Sequence, residues 1–374
     1  MAIRDPVDVS EDQHAQHDSL RAILTGQLSS AALRRALDGE HGYHTELHAR
    51  LAGELSLSAW TIPEEFGGLG KSQVEACAIH IELGRALYPG PFLPSSVAAG
   101  ALLATGHREA CEQWLPRLAA GTVTGTVAAA DEAGHWAPSP GVRADYGTGG
   151  WRLYGHRWYV IAAHLADIIV VPAVTESGGL ATFLVESRSL GYTASGQLGL
   201  DQTRRVCVTA FDEVPAVLLG RGDSAATALN LAERDFLIAT AAEAAGGIGW
   251  CLDAAIAYAR DRERFGPPGG SFQTVAQACV GMLAQFQDVS ALARYAAEAA
   301  AADRDDAVTA AHVAALRAGE AYRAVTESAI HLFGGIDSTR EDDAQLYYRR
   351  AWSAERLAGG PQAHRAAISG SAGH

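Results

Sequence analysis

Glu243 stands in the stretch IATAAEAAGGIG, a lone carboxylate among alanines and glycines. Buried in such company it would lose its hydration, and desolvation raises a carboxylate's proton affinity toward what a general base needs. The plainer role for the same residue is a buried structural glutamate paired with an arginine of a neighbouring helix. A second stretch, HLFGGIDSTREDDAQLYYRR (331–350), interrupts helix-forming sequence with the adjacent Gly334 and Gly335. Such a pair after an apolar helix end is a stop signal, or a place where backbone approaches a ligand too closely for any side chain. His41, His44 and His48 have a spacing of three and four that could align imidazoles on one helix face. No cysteine or carboxylate in the pattern completes a metal signature, so no metal site is expected. GRGDS (220–224) is read as the start of a helix capped by Asp223 or Ser224, and GGLG (67–70) as a turn.

Such groups need a frame, and 374 residues suffice for two or three domains sharing an ample core. The net charge of −14, with no basic tract, makes nucleic acid an unexpected partner. Any anionic ligand must be met by a few placed arginines. No apolar run is long enough to span a bilayer, and the polar, acidic N-terminus lacks the zones of a secretory signal, so a cytoplasmic protein is expected. Five scattered cysteines without C-x-x-C spacing argue against disulfides or a zinc ribbon.

The apolar spacing is helical from about Glu11 to Leu118, broken by IPEEFGGLGK and LYPGPFLP. Between about Gly121 and Leu219 come β-branched runs such as ADIIVVPAV and RRVCVTAFDEV, separated by Gly and Ser turns. From Asp223 onward, Ala-rich segments of helical period dominate, at about 224–263, 271–302, 306–333 and 341–357. The expected fold is α+β: an N-terminal helical domain (1–120), a middle β-barrel or sandwich domain (121–222) and a C-terminal four-helix bundle (223–374).

Several motifs, in this order, are similar to those of the acyl-CoA dehydrogenase family. YARDRERFGPPGGSFQTVAQ (258–277) resembles the family's R-x-x-FG-x-P-x-x-x-FQ segment, and HLFGGIDSTREDDAQLYYRRA resembles its GG-x-G-x-T-x-E loop followed by RRA. TIPEEFGGLG and ELGRALYPGPFLPS resemble the N-terminal domain, and GWRLYGHRWYVIAAHLADIIVV resembles a β-domain segment. The resemblance covers nearly the whole chain. It implies an extended FAD bound between subunits, with the flavin between the β domain and the bundle. Carried over residue by residue, Arg262 would meet the FAD pyrophosphate through its forked donors. Phe265, Gln273 and His331 would line the cofactor, and backbone at Gly334 and Gly335 would pass against it.

The family's reaction removes a proton beside a thioester carbonyl and passes a hydride from the next carbon to flavin, so it needs a carboxylate base. The family's usual base position falls in LAGGPQAHR, where Gly359 stands and offers only a backbone N–H to a substrate carbonyl. A second family position, on the long helix, falls on Phe236. Glu243 lies seven residues further, on nearly the same face and about 10 Å along. Actinobacterial-type relatives often carry a Glu in this context, which makes Glu243 the candidate base. The flavin pocket departs as well. Asp131 replaces a Thr that donates to the flavin, Tyr159 the ring-packing Trp, and Ile161 a Thr that bonds the central ring. Asp131 must be turned away, protonated or paired, or the flavin is held differently.

The resemblance thus implies an FAD-dependent flavin oxidoreductase of fatty-acid or lipid metabolism, introducing an α,β double bond into an acyl-CoA or acyl-carrier-protein thioester. Electrons would pass to an electron-transfer flavoprotein. The alternatives are a non-catalytic companion subunit of a heteromeric acyl-CoA dehydrogenase, or a biosynthetic flavoenzyme reusing the fold. A homo-oligomer or a heterotetramer with a related chain is expected, because the adenosine end of the cofactor would touch a neighbouring protomer.

Overall fold

A computed structural model describes residues 11–136, 141–265, 270–333 and 338–371; of these, 11–16, 261–265, 270–272, 338–342 and 371 are described in backbone only. Six helices come first: α1 (Glu11–Gln27), α2 (Ser30–Asp38), α3 (Thr45–Glu54), α4 (Gln73–Arg85), α5 (Phe92–Thr105) and α6 (Arg108–Ala119). Their ends follow local chemistry. Ser72 and Glu75 form a capping box at the start of α4, with the Ser72 N–H donating to Glu75 Oε2 at 2.7 Å. GGLG is a turn, with Gly67 and Gly70 at positive φ. His44 accepts the Leu47 N–H as the cap of α3, and His48 bonds the Tyr88 hydroxyl, so these two imidazoles are occupied in packing.

Seven strands follow: β1 (Gly125–Val127), β2 (Val142–Gly147), β3 (Gly150–Ile161), β4 (Ile168–Thr175), β5 (Leu180–Glu186), β6 (Tyr192–Gly196) and β7 (Val206–Arg221). The order is β1-β4-β2-β3-β7-β5, and β5 also pairs with β4, so the path returns on itself and closes a barrel. β6 pairs with β7 beside it. The barrel interior forms an apolar core of its own, including Val142, Leu153, Val171 and Phe183.

The last part is helical: α7 (Asp223–Phe265), α8 (Gly270–Ala301), α9 (Ala307–Phe333), α10 (Ser338–Ala354) and α11 (Gly360–Ser371). α10 begins three residues before the position expected from periodicity, and Ser224 turns its hydroxyl to the Thr105 carbonyl. One apolar core runs through the N-terminal and C-terminal helices. Glycine permits their closest crossing, between α4 and α7. A Cβ on Gly84 would lie 2.0 Å from the Glu243 carbonyl oxygen, and one on Gly246 would lie 1.9 Å from the Ile81 carbonyl oxygen. That crossing fixes where Glu243 points. Among the described residues, no helix is long and apolar enough to cross a membrane.

Candidate active-site cleft

A cleft of about 910 Å³ opens between the barrel and the helices, within the size range of small-molecule sites. One wall comes from β3. Its pairing with β7 shifts register between Arg157 and Val160, and Tyr159 takes a positive φ of 52°. The bulge presents Trp158 and Tyr159, with Ile161 beyond them, to the same cleft. Leu93, Pro94 and Val97 of α5 line a second wall. Phe236 of α7 lines it too and stacks on Trp136 at 4.9 Å.

The third wall runs from Trp352 through Gln362 to Arg365. Glu355 is the one carboxylate among the described lining residues, and Arg323 Nε holds it at 3.3 Å. Arg323 and Arg356 both lie over the Trp352 ring, at 5.3 and 4.5 Å from its centroid. Gly359 lines the cleft with φ 82°, and a Cβ there would come within 2.5 Å of His135.

Glu243 is elsewhere. It is 8% exposed, and its Oε2 accepts from Arg350 Nη1 at 3.1 Å and from Arg204 Nη2. His80 Nδ1 stands 3.6 Å from its Oε1. Arg350 also donates to Asp201 at 2.9 Å and to the Thr203 carbonyl, so four buried ionic groups balance in charge. Burial alone would raise the Glu243 carboxyl; the guanidinium of Arg204, the His80 ring and Arg350 outweigh it and hold it at about 2. This corrects the expectation of raised proton affinity. The carboxylate is held charged, it is not among the described residues lining the cleft, and it pairs with an arginine of a neighbouring helix.

Glu233, which sequence reasoning passed over, has the environment expected of Glu243. It is half-buried on α7, three residues before Phe236, with no hydrogen bond or ion pair among the described residues. Burial pushes its carboxyl up to about 7. The available signal was its position one helical turn from Phe236, though Glu233 is not among the described residues lining the cleft.

The N-terminal domain model of acyl-CoA dehydrogenases matches residues 10–122, and the C-terminal domain model matches residues 225–372. The chain belongs to the acyl-CoA dehydrogenase family. Acyl-CoA dehydrogenase IpdE2 of Mycolicibacterium smegmatis is 30% identical over 354 residues, covering 95% of this chain and 96% of that protein. Among solved structures, a variant of the Tcur3481-Tcur3483 steroid ACAD superposes with a TM-score of 0.84 at 26% identity, covering 96% and 97% of the two chains. The ChsE4-ChsE5 complex from Mycobacterium tuberculosis gives 0.86 at 27% identity, covering 98% of each.

Among the positions carried over from the acyl-CoA dehydrogenase family, Tyr159, Ile161 and Gly359 meet in the cleft. Asp131 does not. Its Oδ1 accepts the N–H groups of Ala133 and His135, both at 2.9 Å, so it is turned into its own loop. Gln273 and His331 are exposed at the ends of α8 and α9. Gly334 and Gly335 lie outside the described residues, as do the side chains of Arg262 and Phe265. Asp343 of α10 bonds Arg34 at 3.0 Å and Ser30.

Proposed function

We propose that this chain is one subunit of an FAD-dependent acyl-thioester α,β-dehydrogenase, working beside a related chain that carries the proton-abstracting carboxylate. The observation behind this reading is the lining of the cleft, whose one described carboxylate, Glu355, is tied to Arg323. Abstraction of a proton beside a thioester carbonyl needs a carboxylate free to take it. Paired names also support the reading: one similar structure is a ChsE4-ChsE5 complex, and another is Tcur3481-Tcur3483.

The cleft suits a flavin ring in volume and in its aromatic and aliphatic walls, with Tyr159 and Ile161 packing against it. It suits one less well in donors, since Asp131 is committed to its loop and Ile161 has none. Bound FAD would supply the hydride acceptor, and electrons would leave to an electron-transfer flavoprotein. In this reading Arg262, Phe265, Gln273, His331 and the Gly334-Gly335 backbone serve a cofactor shared with the other chain; Gln273 and His331 are exposed, as that role requires. The Gly359 N–H would polarise a thioester carbonyl, whether on CoA or on a carrier protein.

The absorption spectrum of the chain purified alone, and again with its related chain, tests this. Flavin bands that appear only in the two-chain assembly, and bleach there with an acyl-CoA, are expected. A chain that is yellow alone and bleached by acyl-CoA would overturn the companion role.

A further inference from the structure

A second cavity, of about 370 Å³, lies behind the cleft, between α4, α5, α7 and the loop around Trp60. Val97 lines both spaces, and Phe236 of the cleft is next in sequence to Asp235 of the inner cavity. Its lining carries charged and polar side chains. Arg234 Nε and Nη2 meet Asp235 Oδ1 at 2.8 and 2.7 Å, and Gln73 donates to Asp235 Oδ2 at 2.9 Å. Arg234 is 9% exposed and has no second carboxylate among the described residues. His80, 3% exposed, also lines the cavity, but its Nδ1 faces Glu243 Oε1 at 3.6 Å. A space of this size would otherwise hold about a dozen waters at roughly 30 Å³ each.

We propose that this inner cavity receives the far end of an acyl group whose thioester lies in the cleft, and that it selects a neutral oxygen there, a hydroxyl or a ketone, over a hydrocarbon end. The donors available are the outer N–H groups of Arg234, which suit an oxygen acceptor. A terminal carboxylate is disfavoured, because Asp235 already balances Arg234 and a second anion would sit unpaired beside it. A plain methyl end would leave these buried donors dry and unbonded. The inference rests on the reading of the cleft as an acyl-thioester site.

Calorimetric titration of the full-length protein, with the related chain where the two purify together, tests both. The probes are ω-hydroxydecanoyl-CoA, undecanoyl-CoA, which has a methyl in place of the hydroxyl, and butyryl-CoA. The ω-hydroxy thioester is expected to bind about two- to tenfold more tightly than undecanoyl-CoA. Arg234→Met should erase that preference. Ala104→Phe, at a half-buried position on the cavity lining, fills the space without touching the ion pair and should erase it too, which keeps the test open if Arg234→Met does not fold. Equal affinity of the two long thioesters for the unaltered protein, or a preference that survives Ala104→Phe, overturns the inference while butyryl-CoA still binds. Failure of all three thioesters to bind removes the acyl-site reading, and the inference with it.

Discussion

Arg350 of α10 donates through Nη1 to Glu243 of α7 at 3.1 Å, and through Nε to Asp201 at 2.9 Å. One guanidinium therefore ties the loop between β6 and β7 to two helices. That loop continues from Gln197 to Leu200, which form part of the cleft wall. Glu243 is thus linked to the cleft wall through Arg350 and the loop that carries Asp201.

Glu243→Gln should cost about 3–5 kcal/mol of stability, the usual result of removing one partner from a buried ion pair. Chemical unfolding measures this. The depressed carboxyl also sets a pH window: its stabilisation is complete above its ordinary value of 4.5 and is lost as pH falls toward about 2. The variant should lack that acid loss, and its remaining folded fraction should retain flavin reduction in the two-chain assembly.

His312 and His364 face each other between α9 and α11, Nδ1 to Nδ1 at 3.1 Å, both buried. Burial, then the neighbouring His312, lowers His364 to about 4, and burial lowers His312. The unfolded chain therefore takes up protons first, and stability should fall as pH drops from about 6.5 toward 4. Thermal melts of His364→Gln across that range should be flatter.

Gly359→Ala should destabilise by about 1–3 kcal/mol, because φ is 82° and the new Cβ would meet His135 at 2.5 Å and Ala363 at 2.6 Å. Unfolding midpoints and quenching of Trp136 beside that loop would follow it.

Arg262→Ala should lower the FAD content of the two-chain assembly without unfolding it. Undiminished flavin absorbance per protein would remove the pyrophosphate role.

The order of helix, strand and helix was legible because period and turn chemistry are local; the change at Asp223 is visible as the last β-branched run ends. The fate of Glu243 was not. Its partners, Arg204 and Arg350, lie 39 and 107 residues away, and no periodicity encodes that meeting. Desolvation could be read from neighbouring alanines, while compensation depended on two remote arginines. Asp131 was legible in part, since an aspartate before Ala133 and His135 can bond its own loop. Glu233 escaped because its burial comes from tertiary packing rather than from its neighbours in the chain.

Where Gly84 and Gly246 let α4 and α7 touch backbone to backbone, the joint has no slack. The two helical layers are seamed together there. The cleft instead meets solvent on the barrel side, at Leu198 and Leu200, whose side chains are exposed.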